Sequence, residues 1–143
     1  MAQSANHSTY DAHYHIVFPV KYRKALLSNE ITLAIPEIAK DIAERYDIEF
    51  EKIGCDGNHI HILLSHKPSL STSEVVGIFK SITARELFKR FPHLKKDLWK
   101  GQFWSDGFYM ATVGERGNWN VVKSYIQNQG KTIGESTQLK LLM

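Results

Sequence analysis

Between Tyr10 and Tyr22, the residues Ala12, Tyr14, Ile16, Phe18 and Val20 take every second position, the alternation that lays one face of a β-strand on a core. The period then lengthens. Ile31, Ile35, Ile38, Ile42 and Tyr46 share one side of a helical wheel, so a helix is predicted over 29–46, with Pro36 either kinking it or marking its true start. Alternation returns at Ile48 and Phe50 and resumes out of phase at Ile53 and Cys55, as it would across a bulge at Glu51 and Lys52. Asp56-Gly57 is a turn pair, and the run from His59 to Leu64 should close a hairpin. Ser71, Thr72 and Ser73 offer capping hydroxyls before a helix over 73–91 whose inner face carries Val75, Ile78, Phe79 and Ile82 and which Pro92 ends. A fourth strand is expected within 102–113, broken at Ser105-Asp106-Gly107. A final helix should run from Gly117-Asn118 to Gly130. The first six elements, β-α-β-β-α-β, match the split βαβ, ferredoxin-like pattern. The fold class is therefore α+β: a four-stranded antiparallel sheet with helices on one face and the final helix against the other. We read 1–143 as one domain, with residues 1–9 loose and 132–143 peripheral.

Within this frame one strand is unusual. In G-N-H-I-H-I-L-L-S at 57–65, His59 and His61 point to one face while Ile60, Ile62 and Leu64 point to the other. Two neutral imidazoles side by side make a pair of metal ligands. The same spacing recurs at His13 and His15 in the first strand, which neighbours the third in a ferredoxin-like sheet. For that pair we favour a structural or supporting role. The last helix decides in favour of His59 and His61. Tyr125 and Gln129 are four residues apart and stack on one face, with Trp119, Val121, Val122 and Ile126 spread around the same side. Alone, this is an amphipathic helix burying a tyrosine. Beside a facing histidine pair, the Gln129 carbonyl can complete a three-point metal site, with the Tyr125 hydroxyl within one turn of it. Such a site leaves positions open for phosphate oxygens. A phenol of pKa ~10 is a weak nucleophile at neutral pH, but in line with a polarised phosphate it can form a covalent phosphotyrosine. That bond stores the energy of the cleaved phosphodiester, so a cut strand can be resealed without ATP.

Composition narrows the setting without choosing the chemistry. Eighteen Lys and Arg against fifteen Asp and Glu give +3, which permits a polyanionic partner without demanding one. Lys21, Arg23 and Lys24 follow the first strand, and Lys80, Arg85, Lys89, Arg90, Lys95, Lys96 and Lys100 crowd the second helix. We take Lys21, Arg23, Arg85 and Lys89 as candidate DNA contacts. Lys80 and Arg85 lie ~140° apart on the wheel, however, so there is no single basic stripe, and a solvated face accounts for most of these charges. Of the aromatic run Trp99, Phe103, Trp104, Phe108 and Tyr109, most rings should pack in the core and one or two remain for bases. A single cysteine, Cys55, fits a reducing compartment. With no leader-like start and no apolar run of spanning length, a soluble cytoplasmic protein without membrane contact is expected.

Taken together, Y-H-I-V-F-P-V-K-Y-R at 14–23, H-I-H-I-L-L at 59–64, L-W-K-G-Q-F-W-S-D-G-F-Y-M-A-T-V-G at 98–114 and Y-I-Q-N-Q at 125–129 resemble the single-tyrosine HUH transposases of bacterial insertion sequences, the TnpA type, whose relatives include transposases associated with repetitive extragenic palindromes. The similarity runs from about Tyr10 to Lys131. It implies that His59 and His61 are the HUH histidines, Gln129 the third ligand and Tyr125 the nucleophile. It also implies Mg2+ or Mn2+, a 5'-phosphotyrosine intermediate, single-stranded DNA with imperfect hairpin ends, and a homodimer, commonly with the tyrosine helix of one subunit serving the histidines of the other. Asn58 departs from the pattern, standing where many members carry an acidic residue, and with His15 it is a candidate to support the ligands from behind.

Two other readings compete. A non-catalytic ferredoxin-like module could bind single-stranded nucleic acid on sheet aromatics, though it gives no reason for Gln129. A zinc hydrolase would need a third His, Cys or carboxylate ligand at a diagnostic spacing, and none is evident.

Overall fold

The computed structural model describes residues 3–5, 8–10, 12–98 and 100–113; the predicted helix with Tyr125 and Gln129 lies outside the described residues, as does Trp99. Its elements are β1 (Gln3–Ala5), β2 (Ser8–Tyr10), β3 (His13–Pro19), α1 (Asn29–Tyr46), β4 (Ile48–Asp56), β5 (His59–His66), α2 (Thr72–Arg90) and β6 (Tyr109–Val113). Strands β3 to β6 form one antiparallel sheet in the order β4-β5-β3-β6, the ferredoxin-like arrangement.

The residues explain which face goes where. Ile16, Phe18, Ile60, Ile62 and Leu64 pack with Ile31, Ile35, Ile38 and Ile42 of α1 and with Val75, Phe79 and Leu87 of α2 in one core. Both helices therefore cover the same side of the sheet. In β4 the register shifts between Phe50 and Lys52. The extra residue rephases the strand, so that Phe50, Ile53 and Cys55 all meet that core. Burial raises the Cys55 thiol pKa to about 11, a hydrogen bond from Thr32 opposing the rise, and so keeps it a protonated, inert filler.

Three expectations change. Helix α1 begins at Asn29 and runs through Pro36, so the proline does not mark its start; Pro36 sits on the exposed side, where water can take the carbonyl that its missing N–H leaves. Gln3–Ala5 and Ser8–Tyr10 pair as two short antiparallel strands, β1 with β2, where a loose end was expected. The first strand stops at Pro19, because Tyr22 and Arg23 adopt left-handed φ of 59° and 53° in a tight 3-10 turn.

Helix α2 starts on a capping box, Ser71 Oγ accepting from the Glu74 N–H at 3.0 Å and Glu74 Oε1 from the Ser71 N–H at 2.8 Å. Further along, the buried Thr83 hydroxyl donates to the Phe79 carbonyl at 2.6 Å and accepts the Trp104 indole N–H at 2.8 Å. That bond ties the segment before β6 to the helix. Replacing Thr83 with Val should strand the indole N–H in a dry core and destabilise the protein by about 1–3 kcal/mol. Urea unfolding would measure it, and an unchanged midpoint would mean that the bond contributes nothing.

Candidate functional site

On the face away from α1 and α2, β3 and β5 bring three histidines together. His61 stands opposite Val17 in the β3–β5 register, two residues from His15. The His15 and His61 rings stack at 5.6 Å between centroids, with His15 Nε2 3.4 Å from His61 Nδ1. Alternation predicts this convergence, because β3 and β5 are neighbours and both histidine pairs fall on the same pleat face. The face is buried: His13, His15 and His61 are 5 %, 2 % and 1 % exposed.

His59 sits one pleat repeat away, at the end of β5, and is half-buried. Its surroundings are built by the turn before it. The Val20 N–H donates to the Asn58 carbonyl at 2.8 Å and the Leu27 N–H to the Gly57 carbonyl at 2.9 Å. These bonds lace the hairpin turn to the segment after β3. Within that lacing the Asn58 side chain uses both ends: its Nδ2 donates to the Arg23 carbonyl at 3.4 Å and its Oδ1 meets His59 Nδ1. The Arg23 guanidinium lies 3.3 Å from His59 Nε2. An arginine only donates, so His59 Nε2 is the accepting nitrogen and the proton is on Nδ1, donated to Asn58. A carboxamide thus orients His59. The same tautomer follows for His61 when its Nδ1–H donates to His15, leaving each ring's lone pair on Nε2. This is the tautomer that a ligand pair needs.

Electrostatics keep the rings neutral. Burial lowers the His61 pKa to about 3, with His15 and His59 adding to the fall, and lowers His15 to about 4. His59 is also lowered, by burial first and by Arg23 second, while Asp56 opposes. Two deprotonated imidazoles suit a divalent cation without competition from protons at neutral pH.

The depressed values carry a stability consequence for metal-free protein. Above the unfolded-state value of 6.5 both states are neutral and nothing is lost. Below it the unfolded chain takes up protons that the fold refuses, so stability falls with pH from 6.5 towards about 4. At pH 5 the loss should be about 2 kcal/mol for each of His15 and His61. Denaturant midpoints at pH 7 and pH 5 would measure it, and a His15→Gln, His61→Gln variant should flatten the profile. Equal wild-type midpoints would refute this linkage.

The structure thus gathers His59, His61, His15, Asn58 and Arg23. Lys21 and Arg23 lie at the His59 end, whereas Arg85 and Lys89 lie on α2, across the sheet. Of the aromatic run, Phe103 and Trp104 are buried in the helix-side core and Phe108 packs partly against it. Sequence reasoning missed the contact of Arg23 with His59. Its only signal was the Asp-Gly-Asn turn, which had to pack against whatever follows the first strand. Among the described residues no three His, Cys, Asp or Glu side chains form a metal-binding group, and the expected third ligand, Gln129, lies outside them.

A ferredoxin-like sheet with a His-x-His strand and an imidazole pair on the face away from α1 and α2 is what the HUH resemblance implies. The family "Transposase IS200 like" matches residues 8–129, and this chain belongs to it. It is 32 % identical over 120 residues to the ISDra2 transposase TnpA of Deinococcus radiodurans, covering 84 % of this chain and 85 % of that one. It is 32 % identical over 127 residues to the transposase for insertion sequence element IS200 of Salmonella typhimurium, covering 89 % and 82 %. Among solved structures it is similar to a putative transposase from Deinococcus radiodurans, with TM-score 0.72, 29 % identity and coverage of 89 % and 97 %. A REP-associated tyrosine transposase bound to a REP hairpin shares the fold, with TM-score 0.56, 12 % identity and coverage of 90 % and 72 %. No described helix is long and apolar enough to cross a membrane.

Proposed function

We propose that this transposase nicks and rejoins single-stranded DNA at insertion-sequence ends, with Tyr125 as nucleophile and His59, His61 and Gln129 holding Mg2+ or Mn2+. The observation that carries the reading is the pair of strand-borne imidazoles, His59 accepting from Arg23 on Nε2 and His61 stacked on His15, in a chain of the IS200-like family. Imidazole and amide oxygen donors, with open positions for phosphate, accommodate either ion; the bound cation would draw charge from the phosphodiester.

The residues then divide the work. Asn58 holds His59 in its tautomer, and His15 does the same for His61. The Tyr125 oxygen attacks phosphorus and loses its proton, the bond from phosphorus to the 3'-oxygen breaks, and that oxygen leaves as a hydroxyl. The 5'-phosphate stays on Tyr125. Attack on it by a different 3'-hydroxyl rejoins DNA and regenerates the phenol, so the number of phosphodiester bonds is conserved. Arg23 sits where it can leave His59 for a phosphate oxygen of the strand. Hairpin-bearing ends fit this reading, and the REP hairpin bound by a protein of the same fold supports it. A homodimer with active sites shared between subunits is part of the proposal, and the family resemblance supports it.

The binding-module alternative loses ground because Phe103 and Trp104 are 0 % and 4 % exposed and offer no platform for bases. The proposal is tested by incubating the protein with labelled single strands from the flanks of its own gene. With Mn2+ a protein–DNA adduct that survives denaturation is expected. An adduct that forms equally well in chelator, or none with either ion, refutes it.

A further inference from the structure

The side of the sheet away from the histidines carries a groove that the proposed chemistry does not use. It runs between α2 and the 101–107 segment and has a volume of about 830 Å³. Its floor is apolar, with Ala84, half-buried Phe88 and the edge of Phe103, against which Phe88 packs at 6.1 Å. Its rim is cationic: Lys80, Arg85, Lys89 and Lys95 against one carboxylate, Asp106.

These charges differ from others on the same helix. Arg90 is satisfied by Glu37 at 3.1 Å and Glu86 at 3.7 Å. Arg85, Lys89 and Lys95 are exposed, and among the described residues none makes an ion pair. Lys80 is engaged differently. Its ammonium donates to the Ser105 and Gly107 carbonyls at 2.7 and 2.5 Å and lies 4.8 Å above the Phe18 ring, which pins the loop that forms one wall. Four cations facing a single carboxylate repel one another, and the arrangement makes physical sense when a polyanion relieves them.

We propose that this groove is a second DNA site that holds a single-stranded segment of the same DNA that the histidine face acts on. Arg85 and Lys89 stand one helical turn apart, ~6 Å along α2, close to the spacing of neighbouring phosphates on an extended strand. The exposed part of the Phe88 ring lies between them and the loop, where an unpaired base can rest on it. Because the sheet separates the groove from His61, a phosphate bound here is not the one cleaved. The strand has a short route between the two: the Lys21 N–H bonds the Phe103 carbonyl at 2.8 Å and the Ser105 N–H the Pro19 carbonyl at 3.0 Å. The wall of the groove is therefore fastened to the turn that carries Arg23. A strand leaving Lys95 and Arg85 can pass this end of the sheet and reach His59.

This inference rests on DNA being the substrate, and its test separates the two. Binding of a labelled oligothymidylate and of a blunt hairpin without a tail is measured in chelator over a range of salt, for wild type, Arg85→Ser/Lys89→Ser and Phe88→Leu. The double variant should bind oligothymidylate at least about tenfold more weakly, with a salt slope shallower by about 1.4, two phosphate contacts on a single strand. Phe88→Leu should weaken binding at unchanged slope, and hairpin affinity should be the same for all three. Thermal unfolding midpoints equal to wild type are expected for the exposed Arg85 and Lys89 substitutions. Unchanged affinity and slope on oligothymidylate would overturn the proposal, as would an equal loss on the blunt hairpin, which would make this a duplex site. A wild type that binds oligothymidylate through Arg85 and Lys89 yet forms no covalent adduct keeps the groove and removes the transposition chemistry. An adduct together with undisturbed binding by the double variant does the reverse.

Discussion

Replacing Tyr125 with Phe is expected to abolish the covalent protein–DNA adduct while leaving single-strand binding within about twofold of wild type. The change removes one oxygen and keeps the ring, so packing is preserved and the loss is chemical. No other hydroxyl can inherit the role, because the attacking oxygen must stand in line with the leaving 3'-oxygen, and misplacement by an ångström alone costs ~100-fold. Adduct formation on a labelled strand, followed after denaturation, gives the answer. A Tyr125→Phe protein that still forms adduct would move the nucleophile to another residue.

The second large effect belongs to His61. Substituting Asn keeps a polar side chain of smaller volume beside His15 but removes an imidazole lone pair, and adduct formation at saturating DNA should fall by at least ~1000-fold, of the order of losing a main electrostatic stabiliser. His15→Asn should be milder. It leaves both proposed ligands in place and only frees the His61 ring to choose its tautomer, so Mn2+ binding should weaken by ~10–100-fold and excess Mn2+ should restore part of the activity. If His15→Asn is as damaging as His61→Asn and excess metal does not help, the division of labour between the two buried rings is wrong.

Much of this was legible along the chain because the signals were local and periodic. The helix over 29–46 is found at those residues, and the phase slip near Glu51 is the observed bulge. The facing of His15 and His61 followed from pleat alternation once the sheet order was assumed. What failed was what depends on distant partners. Nothing in the polar residues 3–5 and 8–10 announces the pairing of β1 with β2, because they carry no hydrophobic alternation to read. The left-handed Tyr22 and Arg23 are set by the hairpin turn of β4 and β5 closing over them, which no window of a few residues contains. The helical wheel separated Lys80 from Arg85, yet both line one groove, because Lys80 reaches across to loop carbonyls. Long side chains sample neighbours that a wheel does not draw.

The proposed chemistry requires His59 and His61 to share one cation through Nε2. Pulsed electron paramagnetic resonance of Mn2+-loaded protein, with 15N confined to histidine, tests this directly. Two coupled imidazole nitrogens are expected in the wild type, one in either His59→Asn or His61→Asn, and none in the double variant. Coupling that persists in the double variant, or is absent from the wild type, would contradict it.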